Sequence, residues 1–185
     1  MVRYPGPLRV LRILSARRAI KALSASIALL ISTVAAGSEW TGGFDWSDKP
    51  GDRVWLLASP YTKHYRPSPE HKYVWLIGAA RERADGALAG VAVFSNSFGQ
   101  PSAYIFPWGK IYRNVLDHPN VYAKWSAGLL YGYREQYEDK VPMNKNGFSP
   151  GFIPALGWEF NSSSQAQVNF LGLNAVMLQF SVRGR

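Results

Sequence analysis

From Val121 to Tyr133 the chain alternates. Val121, Ala123, Trp125, Ala127, Leu129, Tyr131 and Tyr133 make an apolar face with aromatic ends. Tyr122, Lys124, Ser126, Gly128, Leu130, Gly132 and Arg134 make a small or polar one. A period of two over such a length predicts a β-strand. Strands of soluble proteins average only about five or six residues, whereas a membrane-spanning barrel strand needs ~9–11. Seven other segments have similar length, at 53–63, 72–82, 86–97, 101–112, 152–160, 165–172 and 174–182. In the seventh strand Ala166, Val168 and Phe170 alternate with Gln165, Gln167 and Asn169. In the eighth, Val176, Leu178 and Phe180 oppose Gln179 and Ser181.

Almost no segment reads as helix, so the fold class is all-β. Eight strands is an even number, as bacterial outer-membrane barrels require. The connections alternate too. Arg83–Gly86, Asp117–Asn120 and Ser162–Ser164 are tight and polar, while those after strands one, three and five are longer or richer in unusual residues. Short periplasmic turns and longer outer loops are the expected pattern. The expectation is an eight-stranded antiparallel outer-membrane β-barrel over residues 53–183. A soluble barrel of lipocalin type has the same periodicity with the faces reversed. Strand length, aromatic ends and the small or polar partner faces favour the membrane form. One departure is the C-terminus, where Phe180 is followed by Ser-Val-Arg-Gly-Arg rather than ending on an aromatic residue.

The N-terminus sharpens the location. Residues 1–21 hold Arg3, Arg9, Arg12, Arg17, Arg18 and Lys21 and no acid, and an uncharged apolar run follows from Ala22 to Val34. Val34-Ala35-Ala36-Gly37-Ser38 then resembles a cleavage site, so residues 1–37 read as a secretory signal peptide. The apolar run, at roughly 13 residues, is short for the ~20 of a spanning helix. Residues 38–52 form an N-terminal periplasmic segment. Six of the 21 bases fall in the signal, which leaves 15 against 12 acids. That balance argues against a nucleic-acid partner, which calls for a basic stripe. With no Cys, no disulfide framework operates. Seven Trp and ten Tyr suit a membrane–water interface.

Candidate chemistry gathers at one end. With the N-terminus periplasmic, His64 ends strand one and His71 begins strand two, both on the outer side, while His118 falls on a periplasmic turn. The segment Phe94–Tyr104, rich in Ser, Asn and Gln, is the outer end of the hairpin between strands three and four. His serves as general base, and Ser as nucleophile or hydrogen-bond donor. The bland alternative is a merely polar outer loop. Pro60, Pro107 and Pro154 sit within strands, although Pro cannot donate to a ladder. They mark either bulges or places where strands part above the midplane and admit a lipid chain sideways. The interior of eight strands holds side chains or one small ligand and is no open pore.

Three stretches resemble the PagP family of outer-membrane lipid A palmitoyltransferases. Pro60-Tyr61-Thr62-Lys63-His64 is similar to its strand-one proline followed by an essential histidine. Val91–Phe98 is similar to its strand ending in Phe-x-Asp-Ser-aromatic. Val141-Pro142 through Phe152–Trp158 is similar to its proline-bearing segment beside a lateral lipid entrance. The matches are short and scattered over most of residues 53–182. Asn96 stands where the family's common form has Asp, and Gly42-Gly43 and Pro50-Gly51 interrupt the place of that form's N-terminal amphipathic helix. The resemblance implies an acyltransferase moving a palmitoyl chain from a phospholipid donor to lipid A, acting as a monomer in the bacterial outer membrane. By the same carry-over His64 is the general base and Ser97 the essential hydroxyl, with Asn96 adjacent. Tyr104 is a polar partner across the hairpin, and His71 a second base. Lys140 or Lys145 would clamp a lipid A phosphate. Gly90 and Gly128, with Gly78, Gly157 and Gly172, would leave lumen space for the acyl chain.

No cofactor is expected. No metal site is evident, since Glu70-His71 is too small a ligand set. The competing readings are a lipid A deacylase or phospholipase on the same barrel, and a non-catalytic structural or adhesion barrel. Solute transport is disfavoured by the narrow interior.

Overall fold

The computed structural model describes residues 49–184. The expected signal peptide, 1–37, and most of the 38–52 segment lie outside them. Eight strands follow in order: β1 (Arg53–His64), β2 (Leu76–Glu82), β3 (Leu88–Ser95), β4 (Pro101–Arg113), β5 (Val121–Tyr131), β6 (Phe148–Asn161), β7 (Ser164–Leu171) and β8 (Ala175–Arg183). Each pairs antiparallel with its neighbours in sequence, and β1 pairs with β8, which closes the barrel. Closure satisfies the edges that an open sheet leaves bare. Among the described residues helix is confined to two short 3-10 turns, and no helix is long and apolar enough to cross a membrane.

Apolar groups cover the outside, while the inside mixes polar groups with an apolar cluster. Gln165, Gln167 and Asn169 of β7 and Gln179 and Ser181 of β8 are buried in the lumen. Val168, Phe170, Phe180 and Val182 of the same strands face out. So do Leu56, Tyr61, Ile77, Trp108, Leu129, Phe152, Leu156 and Trp158 from the other strands. Gln167, Asn169 and Gln179 satisfy one another, whereas Gln165 Oε1 has no hydrogen-bond partner among the described residues. Tyr122 donates to Gln167 Oε1 at 3.1 Å, Gln167 to Asn169, Asn169 to Gln179 at 3.1 Å, and Gln179 to Ser181 at 3.3 Å. Buried polar groups are tolerated when paired in this way.

The end of the barrel that carries His64 holds the connections 65–75, 96–100, 132–147 and 172–174, and the opposite end, the base, holds 83–87, 114–120 and 162–163. The lumen next to the base is plugged by charge. Arg113 bridges Glu82 at 2.7 Å and Glu159 at 2.9 Å, and Trp55 Nε1 donates to Glu82 at 2.9 Å. Asp52 holds Arg81 at 2.6 Å beside it. Above the plug lies an apolar cluster of Trp55, Leu57, Leu76, Ala80, Ala92, Tyr104, Phe106 and Met177. It encloses a cavity of about 40 Å³, also lined by Lys124, Gln167, Asn169 and Gln179.

Several strand ends differ from expectation, and β3 runs from Leu88 to Ser95 rather than 86–97. β2 starts at Leu76 rather than residue 72, because Lys72 donates its backbone N–H to Ser97 O at 2.7 Å instead of joining the ladder. β5 stops at Tyr131, since Gly132 has φ 146° and Tyr133 φ 50°. A right-handed pleat cannot run through those angles. β6 starts early, at Phe148, and carries Pro150 and Pro154 within pairing to β5.

The prolines fall at seams. Pairing of β1 with β2 ends at Ser59↔Leu76, which leaves Pro60–His64 with no partner on that side. Pairing of β6 with β7 ends at Ala155↔Asn169, which leaves Phe148–Pro154 held by β5 alone. Pro107 differs. It lies in a bulge between Ile105 and Trp108, and the β4–β5 ladder continues on both sides of it. Thus two seams part at the His64 end, while the bulges at Pro107 and, on the β8 side, at Pro60 stay closed.

Candidate active site

His64 is the last residue of β1 and Ser97 lies two residues beyond β3. The barrel brings them into contact, with His64 Nε2 and Ser97 Oγ 2.7 Å apart. That distance is a strong hydrogen bond. For Ser97 to donate it, His64 must carry its ring proton on Nδ1. His64 follows the exposed Lys63, so it stands past the apolar outer band. Partial burial lowers the His64 pKa, and the charge of His71 lowers it further. Both effects favour the neutral, proton-accepting imidazole.

His71 packs on His64 with ring centroids 4.0 Å apart. Its Nδ1 accepts the Ser68 N–H at 3.3 Å, which leaves Nε2 to carry the proton in the neutral ring. Phe98 meets the His71 ring edge-on at 5.8 Å. The second histidine therefore braces the first, while the first holds the serine. Among the described residues no carboxylate pairs with His64, so the unit is a dyad with a stacked histidine and lacks an acidic third member.

Asn96 sits next to Ser97 and is fully buried, but it faces the loop. Its Oδ1 accepts the N–H groups of Phe98 and Gln100, each at 3.0 Å, and its Nδ2 donates to Gln100 Oε1 at 3.2 Å. This is an Asx-type turn, and it fixes the backbone that carries Ser97. The role needs an oxygen acceptor and one N–H donor, which an amide supplies and a carboxylate does not. Gln100 carries the order onward. Its Oε1 accepts Arg134 N–H at 3.0 Å and its Nε2 donates to Arg134 O at 3.1 Å. The β3–β4 and β5–β6 connections are locked together at that point.

Tyr104 lies elsewhere. Its hydroxyl lies 3.3 Å from Ser126 Oγ and 3.4 Å from Gly151 O inside the lumen, and the ring lines the cavity. Another tyrosine, Tyr133, stands near this loop, with its ring edge-on to Phe98 at 6.1 Å. Burial raises the Tyr133 pKa, so the phenol stays protonated at neutral pH. Alternation assigned Tyr133 to the outer aromatic face of β5. The signal against that was Gly132, the residue at which the pleat breaks.

Lys140 and Lys145 lie in the 132–147 connection at the same end. Lys140 pairs with Asp139 at 3.2 Å, and Lys145 is exposed. Gly90 and Gly128 do not open the lumen. A side chain at Gly90 would meet the Phe106 ring, and one at Gly128 the β4 backbone at Ile105 and Phe106. Likewise Tyr104 covers Gly151 and Tyr122 covers Gly157. Glycine here seats an aromatic ring or a close neighbour strand. Among the described residues no group of three potential ligands could hold a metal ion.

No protein-family model matches the sequence, and no curated protein matches it.

Proposed function

We propose that this protein is an outer-membrane acyltransferase that moves a palmitoyl chain from a phospholipid to lipid A. The observation that carries the reading is the 2.7 Å contact between His64 and Ser97, two residues far apart in sequence that share one end of a barrel apolar on its outer surface. An apolar outer surface suits a lipid bilayer. The parted β1–β2 seam runs up to His64, which offers a lipid ester a sideways approach to the dyad. The parted β6–β7 seam supplies a second approach.

The chemistry is two acyl transfers. Ser97 Oγ bonds to the donor ester carbon while its proton passes to His64 Nε2. Collapse breaks the bond to the lysophospholipid oxygen, which takes that proton. A lipid A hydroxyl then attacks the acyl-serine, giving its proton to His64, and Ser97 leaves with it. The cavity of about 40 Å³ is small beside a palmitoyl chain. An acyl chain entering the lumen must displace side chains there, and Met177 is the most adaptable of them.

Mass spectrometry of lipid A tests the reading, using cells with the wild-type protein, with Ser97→Ala, and without the protein. The expected result is a palmitoyl-sized gain confined to wild type. Loss of acyl mass would make the protein a deacylase acting through the same dyad. Identical spectra in all three would overturn acyl transfer to lipid A.

A further inference from the structure

We propose that the lumen is a binding site for an organic carboxylate, held by the Lys124 ammonium. The site needs the closed barrel and no chemistry at the dyad.

Three observations carry it. First, Lys124 is turned inward without a partner. It shares the inner face of β5 with the buried Tyr122 and Ser126 and lines the cavity. Among the described residues no hydrogen bond or ion pair reaches it. The acids of the lumen are engaged elsewhere, Asp52 with Arg81, and Glu82 and Glu159 with Arg113. An enclosed ammonium without a counter-charge is costly, and an anion beside it offsets that cost.

Second, the polar groups around the cavity are rich in donors. Gln167, Asn169 and Gln179 line it, and the oxygen of each already accepts a hydrogen bond, from Tyr122, Gln167 and Asn169 in turn. Each amide nitrogen uses one hydrogen in that chain, the last of them toward Ser181, and keeps a second to give. None of the described residues lining the cavity is acidic. Such a wall favours an oxyanion. One ammonium balances the single charge of a carboxylate and not the double charge of a phosphate.

Third, the remaining walls are apolar and reach the seams. Leu57, Leu76, Ala92, Phe106 and Met177 line the same cavity. Leu76 stands in the last pair of the β1–β2 ladder and Asn169 in the last pair of the β6–β7 ladder. The cavity thus lies where both seams begin to part. At about 40 Å³ it takes a head group rather than a whole lipid. Hydrocarbon attached to the carboxylate meets the apolar walls, which a bare inorganic ion would leave unused.

The test is nuclear magnetic resonance of carboxyl-labelled acetate and dodecanoate, titrated at neutral pH against the full chain in micelles of an uncharged detergent. Acetate stands for a small soluble acid and dodecanoate for a fatty acid of the bilayer. Wild type is expected to bind at least one of them saturably, with Overhauser contacts from its protons to the Met177 methyl. Lys124→Met keeps the length of the side chain and loses the charge. It is expected to bind at least about tenfold more weakly, the scale of one charge-assisted hydrogen bond. Lys63→Met, which removes an exposed charge of β1, is expected to bind as wild type does. Tighter binding of dodecanoate assigns a fatty acid, and equal or tighter binding of acetate assigns a small acid; either supports the site. Saturable binding of neither probe to wild type, or equal affinity in Lys124→Met, would overturn it. Absence of the Met177 contacts from a bound probe overturns it on wild type alone, whether or not Lys124→Met folds. Neither result bears on acyl transfer to lipid A, so the two proposals fail separately.

Discussion

At the base of the barrel the β1–β2 and β6–β7 ladders run to their last pairs, Arg53↔Glu82 and Asn161↔Ser164, and Glu82, Arg113 and Glu159 close the lumen. At the opposite end these same two seams stop early, and longer connections carry His64, His71, Ser97 and Tyr133. Both ends contain buried polar clusters, but they differ in what is left over. The base pairs its charges with one another. The site end spends its polar groups on fixing a loop, through Asn96 and Gln100, and holds one hydroxyl against one imidazole. On the proposed function, the comparison would separate residues kept for stability from residues kept for reactivity within a single small barrel.

The sharpest way to break it is Ser97→Ala. Acyl transfer is expected to fall by at least about 10³-fold, measured as lipid product formed, with denaturant unfolding in micelles unchanged. A comparable loss of stability would mean that the dyad belongs to the scaffold. Arg113→Ala probes the base. It strands Glu82, buried beneath the Trp55 indole, and is expected to cost about 3 kcal/mol of stability. The same unfolding experiment reads it, and the specific activity of the folded fraction should stay near wild type.

Asn96 tests the link between loop order and reactivity. Asn96→Ala leaves the Phe98 and Gln100 N–H groups without their acceptor and is expected to cost about 2 kcal/mol. Asn96→Asp, which restores the residue of the resembling family, keeps the acceptor but turns an oxygen toward Gln100 Oε1. It is expected to cost about 1 kcal/mol, measured in the same way. A stabilised Asn96→Asp variant would show that Gln100 is no partner to the amide.

The smallest effect concerns pH. A base works when unprotonated, so activity falls as pH drops through the His64 pKa. Because that pKa is lowered, the acidic limb of the rate profile is expected below the ordinary histidine value near 6.5. His71→Asn removes a neighbouring charge and should move the limb upward. An unmoved limb would mean that burial alone sets it.

Strand number and approximate limits were legible because alternation is a local property of a pleated chain. The amide-rich pattern of β7 and β8 and the long alternation of β5 are readable residue by residue. Proline positions were legible as interruptions, but not their kind. Pro60 and Pro154 accompany parted seams, whereas Pro107 sits in a closed bulge, and only pairing register separates these cases. The site was legible in part. The structure brings His64 against both Ser97 and His71, while the Tyr104 hydroxyl points into the lumen. Where a hydroxyl ends depends on strand register, which alternation along one strand does not give.

By itself, then, the sequence determined that the chain folds as eight alternating strands with His64, His71 and Ser97 grouped at one end. The period of two and the turn residues act over a few neighbours and need no knowledge of the whole. The tertiary structure decided which face turns outward, which seams part, and that glycines seat aromatic rings instead of opening a channel. These depend on closure and on contacts between residues distant along the chain, where register and packing, rather than local preference, set the energy.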